Sequence, residues 1–347
     1  MSYFRLKSVI GTFAFNTILA AMIVLTPCAL ILGTAAKGAD LRVGLVLDKG
    51  GKDDKSFNAA AFKGASQAEK DLKITLKTIE ATDDNAFEPT LRSLAEKKFD
   101  LIISIGFSQA DAVRKVSQKY PDRHFVIVDS DVPGPNVKSV MFEEHEGSFL
   151  MGAIAALKSK TGRVGFVGGM DVPLIRRFEM GYKAGAEAAV PKIKVSSSFV
   201  GVTPDAWNNP PKAKELALAQ YNGGADVIFH AAGASGAGVF DAAEQKKLFA
   251  IGVDSNQNWV KPGFILTSML KRVDLAVLNA IKESKDGKFV SGTTRNGLKD
   301  GGVDYALDSF NEKLLTPDIL TRVDSMKKDI IAGKVKVPDY YTVATKK

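Results

Sequence analysis

The segment from Leu41 to Gly64 brings an acid, an aromatic ring and an amide together directly after an apolar run. The run LRVGLVL is short and rich in apolar residues, which is typical of a strand buried on both faces, and the glycines behind it mark a turn. Asp48 ends this predicted strand, while Phe57 and Asn58 stand where the next helix would begin. In open α/β sheets ligands bind beyond the carboxyl ends of strands, so these groups predict a site for a small polar ligand. Taken alone, a turn with a helix N-cap explains the segment equally well.

Other strand-like runs also end in residues that could contact a polar ligand. Asp129 ends HFVIVD, Gly233 follows VIFHAA, Asp254 ends LFAIGVD, and Lys271 follows ILTSML. Right-handed crossovers place such ends along one edge of a sheet. If two sheets face one another, these residues meet in a cleft between them.

The rest of the chain supplies the elements that would position these residues. Strand-like and amphipathic helix-like segments alternate from Leu41 onward, the pattern of parallel βαβ units. The predicted strands span 41–47, 74–79, 101–105, 124–129, 137–142, 164–167, 195–200, 227–230, 249–254 and 264–268. The predicted helices span 59–71, 88–97, 109–118, 148–159, 174–189, 212–221, 239–246 and 273–284.

These strands are too many for one compact sheet, so we predict an α/β protein of two lobes, each with a sheet of five or six strands. Residues 41–145 plus 256–285 are assigned to lobe 1, and residues 146–255 plus 286–347 to lobe 2. The chain is expected to cross between lobes near 144–147 and again near 254–271. Several short hinge crossovers suit closure around a ligand.

Residues 1–36 have the pattern of an export signal: Arg5 and Lys7 precede a charge-free run that ends in small residues. Cleavage after Ala35 or Ala36 predicts a periplasmic protein. Cys28 is the single cysteine and would allow a lipid anchor instead, although the proline before it departs from lipoprotein signals. Contact with the membrane is expected only through such an amino-terminal anchor.

Composition excludes several other functions. The formal charge of +8 falls to +6 if Arg5 and Lys7 are removed (8 − 2), and the basic residues form no stripe, so no nucleic-acid partner is expected. With no cysteine after Cys28, a disulfide framework and a thiolate nucleophile are excluded from the exported domain. We expect a monomer without a cofactor.

Several motifs invite an enzymatic or metal-binding interpretation and are not supported by their spacing. The glycine runs GFVGG and GASGAG lack the dinucleotide-binding pattern and a Walker lysine, so they are interpreted as tight turns. The three histidines lack metal-ligand spacing, and His145 is expected to be solvated or to lie at a hinge. Asp53 and Asp54 are expected to be solvated turn residues. The roles of Arg176 and Arg177 stay open.

Five sequence blocks, in order, resemble those of the basic membrane protein family of ABC transporter substrate-binding proteins, which includes bacterial purine nucleoside receptors. The blocks are DKSFN at 54–58, EEHEGSFLMG at 143–152, VGFVGGMDVPLIRRFEMG at 164–181, GADVIFHAAGASGAGVF at 224–240, and IGVDSNQ with LTSMLKRVD within 251–274. The resemblance implies a type I periplasmic-binding-protein fold and a receptor that passes a nucleoside, with purines favoured, to an ABC permease.

The resemblance also implies roles for individual residues. A base would be sandwiched between Phe57 and Trp207, and stacking on aromatic rings tolerates different bases. The other implied ligand contacts are Asp254 for the ribose, Asp129 and Asn58 for the edge of the base, Asp48 and Gly233 for the cleft wall, and Lys271 for the sugar oxygens. Two alternatives stay open: a receptor for a sugar or an autoinducer, and a nucleoside hydrolase that uses Asp48 or Asp129.

Overall fold

The computed structural model describes residues 40–81 and 83–344, and the predicted export signal with Cys28 lies outside the described residues. The first lobe is built on a six-stranded sheet in the order β11-β5-β4-β3-β1-β2. Its strands are β1 (Arg42–Leu47), β2 (Thr75–Glu80), β3 (Leu101–Ile105), β4 (His124–Val128), β5 (Val137–Phe142) and β11 (Gly292–Asn296). All the ladders of this sheet are parallel.

The second lobe repeats the same order of strands, β12-β10-β9-β8-β6-β7. Its strands are β6 (Arg163–Met170), β7 (Lys194–Gly201), β8 (Val227–Ala231), β9 (Phe249–Asp254), β10 (Ile265–Lys271) and β12 (Val303–Tyr305). The short strand β12 runs antiparallel to β10, whereas the other ladders are parallel. The prediction of two lobes with mainly parallel sheets is therefore confirmed.

Helices cover both faces of each sheet, which is why central strands such as β1 and β8 are buried along almost their whole length. The helices are α1 (Phe57–Leu72), α2 (Phe87–Glu96), α3 (Ala110–Lys119), α4 (Glu144–Lys158), α5 (Pro173–Ala189), α6 (Pro210–Asn222), α7 (Gly236–Lys246), α8 (Val273–Lys285), α9 (Pro317–Ile331) and α10 (Tyr340–Ala344). Helices α1 and α8 pack together in the first lobe, and α4 packs on α5 and α9 in the second. Among the described residues, no helix has the length and apolar composition needed to cross a bilayer.

Two strands, β10 and β11, lie in the lobe opposite to the one predicted for them. The predicted boundaries place residues 256–285 in lobe 1, but β10 extends the second sheet by pairing with β9. They place residues 286–347 in lobe 2, but β11 pairs with β5 in the first sheet. The sequence GTTRN of β11 is polar and mostly exposed, so no apolar pattern indicates this edge strand.

The described chain crosses between the lobes three times, and the crossings meet at one place. The first follows β5, the second lies between β10 and α8, and the third lies between β11 and β12. Glu143 N donates to Asn296 O at 3.0 Å, and Glu146 Oε2 accepts from Leu298 N at 2.8 Å. The first and third crossings are thus hydrogen-bonded to each other, and together they form the hinge.

Candidate ligand-binding site

A cavity lies between the two lobes. The strand ends of both sheets open into it, as expected for ligand sites in open α/β sheets. All eight predicted site residues line its wall, and they are Asp48, Phe57, Asn58, Asp129, Trp207, Gly233, Asp254 and Lys271. The contribution of each residue to binding depends on its own hydrogen bonds, ion pairs and ring contacts.

The amino terminus of α1 is fixed by Asp54. This residue is buried, so the prediction that it is solvated is wrong. Its Oδ1 accepts hydrogen bonds from Ser56 N at 2.8 Å and Ala59 N at 3.0 Å, and its Oδ2 accepts from Asn58 N at 2.9 Å. These are the backbone donors that a helix leaves unpaired at its start. Asp54 therefore holds Phe57 and Asn58 at the cavity wall.

Asn58 shapes the loop that carries Asp48. Its Oδ1 accepts from Asp48 N at 2.9 Å, while its amide nitrogen donates to Lys49 O at 3.1 Å and to Asp54 Oδ2 at 3.0 Å. Both amide protons are thus used within the protein. Only the second lone pair of Oδ1 is left for a ligand, so the amide cannot donate to a base without breaking one of these bonds.

The Asp48 carboxylate is buried at the end of β1. It accepts from Lys49 N at 2.8 Å and from Ser108 Oγ at 2.9 Å, yet burial outweighs both bonds and raises the pKa of Asp48 to about 6. Gly106 has φ +107°, and a Cβ there would lie 2.3 Å from Asp48 Oδ2, so this position requires glycine.

Two aromatic residues face the cavity from opposite lobes. Phe57 is half-buried on the first lobe, and Trp207 is half-buried in a short 3₁₀ helix of the second. The indole packs on the backbone of Gly169, where a Cβ would lie 2.3 Å from the ring. Gly169 therefore makes room for Trp207, but the GFVGG run lies within β6 and does not form the tight turn predicted for it.

The sequence prediction missed four apolar residues of the cavity wall that lie outside the strands, which are Phe107, Leu174, Ile175 and Phe178. The Phe107 ring meets the Trp207 ring edge-on, with centroids 6.4 Å apart and planes at 73°. Phe107 follows β3 and a glycine, so the same strand-end signal that indicated Asp48 could have found it. The other three lie on α5, whose apolar spacing does not distinguish cavity from core.

Asp129 and Asp254 occupy equivalent ends in the two lobes, after β4 and at the end of β9. Both have left-handed backbones, with φ +69° and +64°, a conformation that is strained for residues other than glycine and that clusters at functional sites. Burial raises the pKa of Asp129, although the charge of Lys271 opposes this shift, and it raises the pKa of Asp254 to about 7. Ser56 Oγ donates to Asp254 Oδ2 at 2.6 Å across the cleft.

Lys271 is a buried cation at the base of the cavity. Its Nζ donates to Asp129 Oδ2 at 2.6 Å and lies 3.0 Å from Glu144 Oε1, 5.2 Å from the centroids of both Phe57 and Phe142. Burial alone would lower the pKa of Lys271, but the charges of Asp129 and Glu144 outweigh burial and raise it. Among the described residues, the buried Asp129 Oδ1 has no hydrogen-bond partner.

Behind Lys271, a buried ion network extends to the hinge. Arg177, whose role the sequence left open, is the central cation of this network. Its fully buried guanidinium donates to Glu144 and to Phe142 O, to Glu143 Oε2 at 2.7 Å and to Asp339 Oδ1 at 2.7 Å. Arg176 instead forms ion pairs at the surface with Asp171 and Glu179.

Of the two positions predicted for His145, the structure shows the hinge: Glu143 is the N-cap of α4, and Glu144, His145 and Glu146 form its first turn. Acids suit this turn because they interact with the positive end of the helix dipole. His145 is buried, which lowers its pKa to about 4, and its Nδ1 lies 3.0 Å from Arg177 Nη2. In the described part of the chain, Glu143, His145 and Asp339 form the set of groups able to hold a metal, with ligand atoms within 4.8 Å of one another. Since Arg177 already bonds all three, the cation of this cluster is the guanidinium.

A sequence model of one family, described as ABC transporter substrate-binding protein PnrA-like, matches residues 41–340. The chain belongs to this family. It is 36% identical over 330 residues to the ABC transporter nucleoside-binding protein BmpA of Lactococcus lactis, covering 88% of this chain and 92% of the relative. It is 34% identical over 321 residues to an uncharacterised lipoprotein of Pyrococcus horikoshii, covering 84% and 78%.

A solved structure gives the same assignment from the fold. The crystal structure of an ABC transporter solute-binding protein from Aeropyrum pernix superimposes with a TM-score of 0.79 at 27% identity, and the match covers 87% of this chain and 96% of that one. The protein is therefore a substrate-binding protein of an ABC transporter with the periplasmic-binding fold. Such a protein has two partners, a small ligand and a permease.

Proposed function

We propose that this protein is the exported receptor of an ABC importer and that it binds a nucleoside in the cleft between its lobes. The observation that carries the proposal is the composition of one cavity wall, in which aromatic rings from opposite lobes accompany four buried carboxylates. The name of the Lactococcus lactis relative, a nucleoside-binding protein, supports the same ligand class.

The base is proposed to stack between Phe57 and Trp207. Each base–aromatic stack contributes about 1–3 kcal/mol and depends little on which base is present, because every base has a π face. The two fused rings of the indole favour a purine, since a bicyclic base covers more of their surface. Because the rings belong to different lobes, the sandwich is complete only when the lobes are closed.

The polar groups are proposed to orient the nucleoside. Asp254 accepts hydrogen bonds from ribose hydroxyls, and the unpartnered Oδ1 of Asp129 accepts an N–H from the edge of the base. Lys271 Nζ donates one proton to Asp129 and forms an ion pair with Glu144, so it has a further proton to donate to a sugar oxygen. Asp48, Asn58 and Gly233 complete the wall.

Calorimetry with adenosine, guanosine, inosine and uridine tests this proposal on protein that has been unfolded, freed of bound ligand and refolded. We expect heat of binding with the purine nucleosides and weaker binding of uridine. Absence of heat with all four compounds would refute a nucleoside receptor. Incubation followed by chromatography should recover each nucleoside intact, whereas released base would indicate the hydrolase alternative.

Export through the signal at 1–36 is part of the proposal, with a periplasmic receptor that is either free or anchored through Cys28. The name of the Pyrococcus horikoshii relative, a lipoprotein, supports the anchored alternative. Mass spectrometry of the native protein distinguishes the two, because cleavage after Ala35 or Ala36 removes Cys28, whereas lipidation retains it with an added acyl mass.

A further inference from the structure

Five residues join the two lobes at the rim of the cleft without lining the cavity. Lys55 and Ser56 belong to the β1–α1 connection of the first lobe, while Ser255, Gln257 and Trp259 belong to the β9–β10 connection of the second. None of the five is among the described residues that form the cavity wall. We call this group the latch.

The latch bonds run from side chains of the second lobe to the backbone of the first. Ser255 Oγ donates to Ser56 O at 2.9 Å, and Gln257 Nε2 donates to Lys55 O at 3.0 Å. Gln257 is almost fully buried, and its Oε1 accepts from Val253 N at 2.8 Å, which fixes the direction of its amide. Lys55 Nζ lies 5.5 Å from the ring centroid of Trp259, a cation–π contact across the rim.

The latch holds a strained piece of backbone next to the cavity. Lys55 has φ +58°, which a residue with a Cβ adopts at a cost, and its carbonyl is one of the two acceptors of the latch. Phe57 and Asn58 follow two and three residues later. The contacts that join the lobes therefore also fix the segment that presents the stacking ring.

We propose that Lys55, Ser255, Gln257 and Trp259 are positioning residues, which stabilise the closed lobes and thereby raise the affinity for any ligand of the cleft. Contacts made only in the closed form increase the fraction of closed protein, and the apparent dissociation constant varies inversely with that fraction. This inference rests on the proposed function only for the choice of ligand. The latch acts on closure whichever molecule is bound.

The test compares Ser255→Ala and Trp259→Ala with wild type and with Ser117→Ala, a matched control that removes a serine-to-carbonyl bond inside the first lobe. Calorimetry with adenosine, guanosine and inosine should show affinity reduced about twofold to tenfold by each latch substitution, by the same factor for every nucleoside. The control should bind as wild type does. Lys55→Arg, which keeps the cation, should retain the wild-type affinity, whereas Lys55→Ala should not.

Thermal unfolding without ligand supplies a reading that does not depend on nucleoside binding. If the latch forms on closure, the ligand-free unfolding midpoints of Ser255→Ala and Trp259→Ala should equal that of wild type. Lowered ligand-free midpoints would show that these contacts persist without ligand and would overturn the inference. Unchanged affinities, or factors that differ between nucleosides, would overturn it as well. Failure of wild type to bind any nucleoside would instead refute the proposed function and leave the unfolding result to decide on the latch.

Discussion

The two lobes have the same order of strands but treat equivalent acids differently. Asp129 follows β4 in the first lobe and is neutralised by the buried cation Lys271, whereas Asp254 ends β9 in the second and accepts a bond from the neutral hydroxyl of Ser56. An ion pair at full burial must be kept, because losing one partner leaves an uncompensated charge. A bond to a hydroxyl can be exchanged for a similar bond from a ligand. Asp129 therefore belongs to the permanent framework of the hinge, while Asp254 is available to respond to a ligand.

The largest effect is expected from Lys271→Met, which removes the buried cation that pairs with Asp129. The substitution keeps the length of the side chain and leaves the Asp129 and Glu144 carboxylates buried near an apolar group. We expect the free energy of unfolding to fall by about 3–5 kcal/mol. Urea denaturation measures this loss. Lys334→Met, at an exposed ion pair, is the control and should change the value by less than about 0.5 kcal/mol. A loss below about 1 kcal/mol for Lys271→Met would contradict the framework role.

The next effect separates ribose from base. Asp254→Ala should weaken binding of adenosine about 10- to 150-fold, the equivalent of about 1.5–3 kcal/mol for hydrogen bonds to a charged group. Binding of free adenine should change little, since it has no ribose. Calorimetry with both compounds makes the measurement. Equal losses for adenosine and adenine would show that the ribose assignment is wrong.

A third prediction concerns pH, because burial raises the pKa of Asp254 to about 7. Ribose hydroxyls donate best to the ionised carboxylate, so nucleoside affinity should rise from pH 6 to pH 8, by up to about tenfold for each pH unit below the pKa. Titrations at pH 6, 7 and 8 check this, and Asp254→Asn should abolish most of the change. An affinity that falls over this range would contradict the assignment.

The same shift has the opposite sign for the ligand-free protein. The folded pKa of about 7 lies above the ordinary value of 3.8, so the folded state binds the extra proton in this window. The contribution of Asp254 to stability is therefore present below about pH 4 and is lost as the pH rises through 7. Urea denaturation of wild type and Asp254→Asn at both ends of the window isolates this contribution.

The smallest effect is expected from substituting the acid that follows the first strand of the second lobe. Asp48 follows β1 and is buried at the cavity, whereas Asp171 follows β6 and is exposed in a pair with Arg176. Asp171→Ala should change the free energy of unfolding by no more than about 1 kcal/mol and leave nucleoside affinity unchanged, because the pair is at the surface. Urea denaturation and calorimetry check both values. A marked loss of affinity would mean that the second lobe uses this acid as the first lobe uses Asp48.

The sequence predicts most of the strands and the residues at their ends because buried parallel strands are mainly apolar and are followed by polar residues. Asp48, Asp129 and Asp254 are all indicated in this way. The strand β11 is missed, since an exposed edge strand has no apolar pattern, and this omission shifts the predicted lobe boundaries. The β10 assignment fails for a different reason, because nothing local in a strand says which sheet it joins.

The buried ion network could not be predicted, because charged residues are expected at the surface. Glu144 and Arg177 are fully buried and form an ion pair with each other. They are 33 positions apart in the sequence, and the pair forms only because α4 packs on α5. Asp54 is missed similarly: its burial depends on the helix start that it caps. Local sequence shows the acid but not the donors that compensate its charge.

The most direct test of the account is a crystal structure of the protein grown with adenosine. We predict that the purine lies between the rings of Phe57 and Trp207 and that the ribose hydroxyls bond to Asp254. A structure in which the nucleoside binds elsewhere, or in which either ring points away from the cleft, would contradict it.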